Sequence, residues 1–492
     1  MKPLTEILQG LTYELLSGQP ADQMVSGMTI DSRGVKPGYV FVCIPGFRVD
    51  GHEYAAKAYA LGARVFVVER EIPLPADTVV IQVGNSRQAL AVLAYAFYEQ
   101  PGRGMNLVGI TGTNGKTSVS FYIHGILMAH GHKTGIIGTV DTKLDHAPIA
   151  IDFAISTTPD TIELMQIIQH MQQAQADSLV MEVTSHALAL HKVRQLAFDV
   201  SVFTNLTQDH LDLHGTMENY RDAKAQLFMQ SATNVINLDD PYGAHMASMA
   251  TGQVISYGME GERDIKATCV AYTPTGTSFT VVMAGERYDF YLPIPGRFSV
   301  YNALGAIGAV HALGVPMTTI QASIKVLKTV PGRIESVPND HNLQVMVDYA
   351  HTPDSLQNVI ETAKAFTTGR VITVFGCGGD RDASKRPLMG AVASTYGDFT
   401  FITSDNPRTE DPETILDQIA QGMVGTAYER VTDREQAIDR AITLMTPTDT
   451  LIIAGKGHET YQIFADRTID FDDRLVAAQA IQRLKNREEA AT

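Results

Sequence analysis

Residues 108–120, VGITGTNGKTSVS, combine evenly spaced glycines with a Lys-Thr pair, residue types that bind phosphate in many proteins. The common pattern G-x-x-x-x-G-K-[ST] would require a glycine at the place of Ile110. A short apolar run precedes the loop and a helical pattern follows it. In that context backbone amides would receive phosphate oxygens, Lys116 would neutralise charge and Thr117 could ligate magnesium. The alternative is an ordinary strand-to-helix turn with an incidental lysine, and the context favours a nucleotide site.

Acidic and imidazole side chains follow two further apolar runs. Glu182 lies near the end of SLVMEV (178–183), so its carboxylate would emerge at the same sheet edge as the loop and could bind magnesium. The alternative for Glu182 is a solvated surface carboxylate. The later segment TNLTQDHLDLHG contains His210, a candidate metal ligand, whereas His214 is expected to pack or hydrogen-bond locally.

Lys224 lies near the apolar face of a candidate helix, since Tyr220, Ala223, Leu227 and Phe228 recur around it at helical spacing. A lysine in such a place usually extends its charge to solvent. If the amine is instead kept dry, its pKa falls, and a neutral amine can react with carbon dioxide to form a carbamate. The carbamate would turn a cation into an acidic metal ligand.

The last third of the chain gathers charges of both signs behind predicted strands. Arginine can pair bidentately with a carboxylate, so mixed charges there favour recognition of a zwitterion, although ordinary surface ion pairs are the alternative. The group comprises Arg381, Lys385, Arg386, Asp405, Arg408, Lys456 and Glu459.

These residues must be positioned by strands that alternate with helices. Two Pro/Gly/Arg stretches, at 99–104 and 330–333, divide the chain into three blocks. The middle block predicts a buried parallel sheet with helices on both faces. Three antiparallel strands after it are expected to form a small appendage. Four strands of the last block should carry polar segments to one sheet edge, where ligands bind in open α/β sheets.

Composition narrows the functional class. A chain of 492 residues predicts about three domains, and a net charge of −16 without a basic run argues against a nucleic acid partner. Three distant cysteines indicate neither a disulfide framework nor a zinc site. No signal peptide or apolar run of membrane length is recognisable, so we expect a soluble cytoplasmic protein without membrane insertion.

Taken together, the motifs resemble the Mur ligase family, and within it the MurE type, which adds the third residue of the peptidoglycan stem peptide. The motifs occur in the family's order along nearly the whole chain: DSRGVKPGYVFVCIPG, GITGTNGKTS, STTPD, MEVTSHAL, FTNLTQDHLDLHGTMENYRDAK, YNALGA, VPGRIE, VDYAHTPDSL, GCGGDRDASKRPLM, SDNPRTEDP and AGKGHE.

The resemblance implies an α/β protein of three domains. A smaller N-terminal α/β domain (1–102) would bind the UDP-linked substrate, a central doubly wound parallel-sheet ATPase domain (103–331) would bind ATP, and a Rossmann-like C-terminal domain (332–492) would bind the amino acid. It further implies an ATP-dependent ligase. ATP would phosphorylate the D-Glu carboxylate of UDP-N-acetylmuramoyl-L-Ala-D-Glu, and an amine would attack the acyl phosphate. We expect a monomer.

The resemblance also assigns roles to residues at matching positions. ATP would be held by Gly112, Thr113, Asn114, Gly115, Lys116, Thr117, Ser118, Asn302, Arg333 and Asp348. Magnesium would be held by Thr117, Glu182, His210 and a carbamate on Lys224, and the catalytic group would comprise Lys116, Glu182, His210 and Lys224. The UDP-linked peptide would contact Ser32, Phe47, Arg48, Val49, Thr157, Thr158 and Thr184, with Lys192 or Arg194. The amino acid would contact Arg381, Asp405, Asn406, Pro407, Arg408, Gly455 and Glu459.

The DNPR tetrad at 405–408 resembles the form that selects meso-diaminopimelate, because its arginine can pair with the far carboxylate that lysine lacks. Two positions depart from the family pattern: Thr184 replaces a serine, and Lys192 stands where relatives generally have arginine. The open alternatives are the same chemistry with L-lysine or another diamino acid, a folylpolyglutamate-type ligase, and a nucleotide-binding switch.

Overall fold

The computed structural model describes residues 1–46, 49–149, 151, 156–273 and 275–491 of the chain. Its N-terminal part contains a mixed sheet in the order β2-β7-β6-β5-β4, in which only the β2–β7 pair is antiparallel, and a small β1/β3 ladder. The strands are β1 (Lys2–Pro3), β2 (Glu14–Ser17), β3 (Met24–Val25), β4 (Gly27–Thr29), β5 (Tyr39–Val42), β6 (Val65–Val68) and β7 (Val79–Gln82). The helices are α1 (Leu4–Ile7), α2 (Ala55–Ala60) and α3 (Ser86–Phe97).

The central part is built on one long sheet in the order β11-β10-β9-β12-β8-β13-β14-β15-β16-β17-β18. The strands are β8 (Asn106–Thr111), β9 (Thr134–Ile137), β10 (Thr142–Leu144), β11 (Ala147–Pro148), β12 (Ser178–Glu182), β13 (Phe198–Phe203), β14 (Ser231–Asn237), β15 (Gln253–Gly258), β16 (Ile265–Thr273), β17 (Gly276–Met283) and β18 (Glu286–Leu292). The helices are α4 (Lys116–Ala129), α5 (Thr161–Gln173), α6 (Ser185–Ala189), α7 (Leu211–His214), α8 (Met217–Ala225), α9 (Gly243–Met249), α10 (Arg297–Ala312) and α11 (Met317–Ile324).

Helices cover both faces of the central parallel sheet. On β12, Leu179 and Met181 pack into the same apolar cluster as the residues of α5, whereas Val180 packs into another cluster with α4. Successive side chains of a strand point to opposite faces, so both faces are buried and the strand is apolar throughout. The doubly wound arrangement predicted from the sequence is confirmed.

The three strands expected to form a small antiparallel appendage are antiparallel to one another, but they extend the edge of the central sheet. Strand β16 pairs in parallel with β15, and β17 and β18 continue the central sheet. The reason lies in packing: Ile265, Phe279 and Val281 share one apolar cluster with α10, so this edge buries its apolar side chains against the same helix layer as the rest of the sheet.

The C-terminal part has a sheet in the order β19-β20-β24-β21-β22-β23, parallel except for β19. The strands are β19 (Glu335–Ser336), β20 (Gln344–Asp348), β21 (Val371–Phe375), β22 (Phe399–Ile402), β23 (Tyr428–Arg430), β24 (Thr450–Ala454), and a hairpin of β25 (Tyr461–Ile463) and β26 (Thr468–Asp470). The helices are α12 (Pro353–Lys364), α13 (Lys385–Tyr396), α14 (Pro412–Ala420), α15 (Arg434–Leu444) and α16 (Asp473–Ala491).

The four predicted strands of this last block are neighbours in its sheet, which confirms that their polar segments reach one edge. Each of the three large sheets lies inside one of the predicted ranges, while the boundaries themselves, at 102 and 331, stay a prediction. Within the described ranges, no helix is both long and apolar enough to cross a membrane.

Candidate functional site

A cleft of about 1030 Å³ opens between the central and C-terminal parts. The segments that follow β8, β12 and β13 line one side, and those that follow β20, β21, β22 and β24 line the other. Both sheets therefore present the carboxyl ends of parallel strands to one space, the position at which open α/β sheets bind ligands.

The glycine-rich loop between β8 and α4 has the backbone shape that its glycines allow. Gly115 precedes α4 with φ 86°, and a Cβ atom there would lie 2.4 Å from Oδ1 of Asn302. The amide of Asn114 donates to Oδ1 of Asn205 at 2.9 Å, which fixes the loop against the segment after β13. The amide-bearing turn at a helix N-terminus is the anion site that the sequence predicted.

Two lysines meet at one carbonyl of this loop. Lys116 donates from Nζ to the carbonyl of Gly112 at 2.9 Å and to that of Thr113 at 2.8 Å, and Lys224 donates to the carbonyl of Gly112 at 2.8 Å. Lys224 is 1% exposed, and its ammonium lies 4.7 Å from the centre of the Tyr220 ring. Burial, and after it the charge of Lys116, lowers the pKa of Lys224 well below its usual value. The chain therefore keeps this amine dry rather than extending it to solvent.

Glu182 ends β12 as a fully buried carboxylate. Its Oε2 accepts from the hydroxyl of Thr117 at 3.2 Å and from that of Thr139 at 3.1 Å, and its Oε1 accepts from the amide of Thr139 at 2.9 Å. Within the part of the chain that the structure describes, no three His, Cys, Asp or Glu side chains are grouped closely enough to hold a metal ion. The carboxylate of Glu182 and the hydroxyl of Thr117 are nevertheless the oxygen ligands that Mg²⁺ prefers.

His210 stands at the start of α7 with φ 53°, and its ring is 4.9 Å from that of His186. Burial lowers the pKa of His210, although Asp209 acts in the opposite direction. The ring is therefore neutral at physiological pH and can offer a nitrogen lone pair. His214 donates to or accepts from the hydroxyl of Ser185 at 3.0 Å, in agreement with the local role predicted for it.

Threonines and a lysine line the next part of the cleft. The hydroxyl of Thr158 donates to the carbonyl of Glu182 at 2.8 Å and lies 3.2 Å from the hydroxyl of Thr184, which caps α6. Thr157 also lines the cleft, and Lys192 reaches it while paired with Asp160 at 2.6 Å. Arg194, the other candidate at this position, is exposed and is not among the cleft residues.

Two further predicted nucleotide residues, Arg333 and Asp348, line the cleft from outside the loop. Arg333 donates from Nη2 to the hydroxyl of Thr117 at 3.3 Å, with its guanidinium 4.4 Å above the Tyr349 ring. Asp348 accepts from two backbone amides, those of residues 334 and 350, both at 2.8 Å, so its carboxylate also shapes the turn after β20. Burial raises the pKa of Asp348.

The far end of the cleft is lined by the predicted amino-acid residues. Asn406 donates from Nδ2 to Glu459 at 2.8 Å, and Lys456 donates to both side chains at 3.2 and 3.1 Å. Arg408 has φ 53° and donates from Nη1 to the carbonyl of Gly379 at 2.7 Å. Arg381, Asp405, Arg408, Gly455 and Glu459 all line the cleft. Pro407 does not line it; its carbonyl packs on Gly379, where a Cβ atom would come within 1.9 Å.

Comparison with known proteins agrees with this geometry. Three family models match: "Mur ligase family, catalytic domain" at residues 24–98, "Mur ligase middle domain" at 110–310, and "Mur ligase, glutamate ligase domain" at 332–457. The chain is 46% identical over 464 residues to a protein from Halalkalibacterium halodurans, covering 93% of this chain and 94% of the relative. It is 42% identical over 486 residues to one from Clostridium botulinum, covering 98% and 100%. The chain belongs to the Mur ligase family.

Both relatives are named UDP-N-acetylmuramoyl-L-alanyl-D-glutamate--2,6-diaminopimelate ligase. A solved structure with the same name aligns with a TM-score of 0.71 at 29% identity, covering 99% of this chain and all of that one. A folylpolyglutamate synthase from Mycobacterium tuberculosis shares the fold, with a TM-score of 0.63 at 18% identity and coverage of 81% and 95%. The three-domain Mur ligase fold is thus confirmed.

Two of the four predicted contacts to the UDP end, Ser32 and Val49, are described by the structure and do not line the cleft of this Mur ligase. Ser32 is buried in the N-terminal part, Val49 is 49% exposed, and neither is among the cleft residues. Phe47 and Arg48 lie outside the described residues. The roles of these four residues stay predictions.

Sequence reasoning missed a contact that joins two domains of the Mur ligase. Asn114 donates from Nδ2 to Oδ2 of Asp354 at 2.8 Å, which ties the phosphate loop to the start of α12. The segment Thr-Pro-Asp-Ser around Asp354 reads as a helix start, and Thr352 and Ser355 do form a capping box there. The helix-start pattern alone accounts for these residue types. The sequence therefore contains no additional sign that Asp354 has a partner across the cleft.

Proposed function

We propose that this Mur ligase is an ATP-dependent amide ligase that joins meso-diaminopimelate to the D-Glu residue of UDP-N-acetylmuramoyl-L-Ala-D-Glu, in cytoplasmic synthesis of peptidoglycan precursors. The observation that carries the proposal is the single cleft of about 1030 Å³, which holds a phosphate loop at one end and an Arg/Asn/Glu pocket at the other. A free carboxylate is a poor electrophile, so activation by phosphate must occur within reach of the amine. The names of the relatives support the same reaction.

At the phosphate end, the loop amides and Lys116 hold the transferred phosphate, and Arg333 and Asn302 hold the remainder of ATP. Preorganised donors of this kind stabilise charge without rearranging during the reaction. Thr117 and Glu182 fit a magnesium ion because their oxygens already lie 3.2 Å apart. When bound, the ion supplies positive charge to the phosphate oxygens.

Lys224 carries a carbamate in the active enzyme. Two observations support the modification: the amine is buried, and its pKa is lowered in part by the charge of Lys116. Carbamate formation replaces one of two adjacent cations by an anion, which removes their repulsion. The anion and His210 then provide further ligands beside Glu182.

At the peptide end, Lys192 holds the substrate carboxylates together with Thr158 and Thr184. Lys192 is preferred to Arg194 because it lines the cleft and Arg194 is exposed. Lysine binds a carboxylate through one compact charged group, whereas the arginine that relatives generally have at this position can donate two parallel hydrogen bonds to it.

At the amino-acid end, Arg408 pairs with the far carboxylate of meso-diaminopimelate, and Asn406 and Glu459 receive the amino group and carboxylate of the far centre. L-Lysine lacks that carboxylate and would leave Arg408 unpaired. We therefore expect kcat/KM for meso-diaminopimelate to exceed that for L-lysine by about 10³-fold or more.

The decisive experiment measures ADP, phosphate and amide product with each substrate left out in turn, over a panel of amines. Release of phosphate should require the UDP-dipeptide and an amine together. Hydrolysis of ATP that ignores both substrates would instead indicate a nucleotide switch. Equal kcat/KM values for meso-diaminopimelate and L-lysine would contradict the proposed selectivity while leaving the ligase chemistry intact.

A further inference from the structure

Lys385 is a buried cation without a bonded partner. It is the first residue of α13, is 8% exposed and lines the cleft, and its ammonium makes no hydrogen bond or ion pair with any residue that the structure describes. The neighbouring Arg386 is buried as well, but it pairs with Glu410 at 2.8 Å. The ammonium can still be reached from the cleft that the side chain lines, and no hydrogen bond or ion pair of the described residues accounts for the position of Lys385.

The position of Lys385 is fixed across the cleft from the phosphate loop. The start of α13 touches the central domain where Gln208 donates to the hydroxyl of Ser384 at 3.4 Å. Next to Gln208, burial acts to raise the pKa of Asp209, but the charges of His210, His351 and Lys385 hold it at about 2. Asp209, Lys116 and Lys385 all line the same cleft, so Lys385 faces the space that the phosphate loop also faces.

Other cations of that region already have acceptors. Lys116 donates to two loop carbonyls and Arg333 donates to the hydroxyl of Thr117. Lys385 has none among the described residues, so its N–H groups are available to an incoming anion. The anion that this cleft handles carries more than one negative charge, since it is the phosphate of ATP and then of the acyl phosphate.

We propose that Lys385 is a catalytic residue that binds the transferred phosphate and neutralises its charge as the amide forms. The proposal rests on the ligase function above. In the first step the D-Glu carboxylate oxygen forms a bond to the γ-phosphorus while the bond from that phosphorus to the ADP oxygen breaks. In the second step the amine nitrogen bonds to the acyl carbon, the amine proton passes to solvent, and the carbon–oxygen bond breaks to release phosphate. Lys385 would contact the phosphate oxygens in both steps.

The test compares Lys385→Met, Lys385→Arg and the control Lys364→Met in the full-length enzyme. Lys364 is an exposed lysine of the same domain that pairs with Asp398, outside the cleft. K385M is expected to lower kcat by about 10²- to 10³-fold, with KM for both substrates within about threefold of wild type. K385R should retain more activity than K385M, and K364M should match wild type. Because K385M removes no hydrogen bond or ion pair of the described residues, its Tm should stay close to that of wild type.

A second measurement separates chemistry from folding. A phosphorylated phosphinate, in which a tetrahedral phosphorus replaces the reacting carbon of D-Glu and a phosphate group replaces the transferred phosphate, should bind K385M more weakly by the same factor as kcat/KM falls, while the Kd for ADP stays within about twofold. An active wild type with a K385M kcat within threefold of it would overturn the role of Lys385 alone. So would a loss of activity that comes with a lower Tm and unchanged phosphinate affinity. A wild type that forms no amide would overturn the proposed function itself.

Discussion

Replacing Arg408 by glutamine should remove most of the enzyme's preference for meso-diaminopimelate. Nη1 of Arg408 donates to the carbonyl of Gly379 at 2.7 Å. The Nε–H and Nη2–H groups remain to donate side by side to the two oxygens of one carboxylate. Hydrogen bonds to charged groups contribute about 1.5–3 kcal/mol each, and two that share one carboxylate are not additive. A combined loss of about 3–4 kcal/mol corresponds to about 10²- to 10³-fold in kcat/KM.

The assay is amide formation with meso-diaminopimelate and with L-lysine for wild type, R408Q and a control, Arg430→Gln. Arg430 pairs with Glu413 and Asp417 and is not among the cleft residues. R408Q should lose activity towards meso-diaminopimelate and keep its kcat/KM for L-lysine within about threefold, because lysine has no carboxylate for the lost fork. An equal decrease in kcat/KM for both amines would show that Arg408 only stabilises its loop and does not distinguish between the substrates, which would refute the reasoning.

Three further outcomes are expected. Lys224→Ala should lower kcat by about 10²-fold or more, and short carboxylic acids should restore part of it by replacing the carbamate; activity equal to wild type without added acid would exclude the modification. Gly115 has a φ of 86°, and Gly115→Ala would add a methyl group 2.4 Å from Oδ1 of Asn302, so KM for ATP should rise about tenfold. The control is Gly131→Ala: Gly131 has a similar φ of 95° but open space around it, so this variant should change only the stability of the protein. Burial acts to raise the pKa of Asp449, but hydrogen bonds from an arginine and backbone amides hold it at about 2, below the usual 3.8. A carboxyl group whose pKa is lower in the folded than in the unfolded protein stabilises the fold at any pH above the unfolded-state pKa. Asp449→Asn should therefore lower the free energy of unfolding in urea by about 1–2 kcal/mol at neutral pH, and the difference between the two proteins should vanish as the pH falls from about 4 to about 2. A difference in unfolding free energy that persists at pH 2 would contradict this.

Much of the fold could be predicted because its signals are local. Apolar runs such as SLVMEV are buried on both faces of a parallel sheet, and Gly112 and Gly115 have positive φ angles that other residues rarely adopt. The burial of Lys224 could also be predicted, since helical spacing places it on an apolar face, and the structure shows it 1% exposed.

What could not be predicted depends on contacts between distant segments. No pattern in the sequence of β16 states whether it extends the central sheet or starts a new one, because that depends on which helix covers its apolar face. The bond from Asn114 to Asp354 joins residues 240 positions apart and leaves no periodic trace. Lys385 was grouped with the amino-acid residues by its motif, and only the structure shows that it lines the same cleft as Asp209 and the phosphate loop.

The cleft between two sheets has a mechanical consequence. The phosphate loop and the amino-acid pocket belong to different domains, and the described contacts between them include the Asn114–Asp354 bond of 2.8 Å and the Arg333–Thr117 bond of 3.3 Å. A displacement of 1 Å between reacting groups can reduce a rate by about 10²-fold. The distance from amine to acyl phosphate therefore depends on how the two domains are placed relative to each other, and these two bonds help to hold that placement. A substitution that removes one of them is expected to slow catalysis although it changes no residue that contacts the reacting atoms.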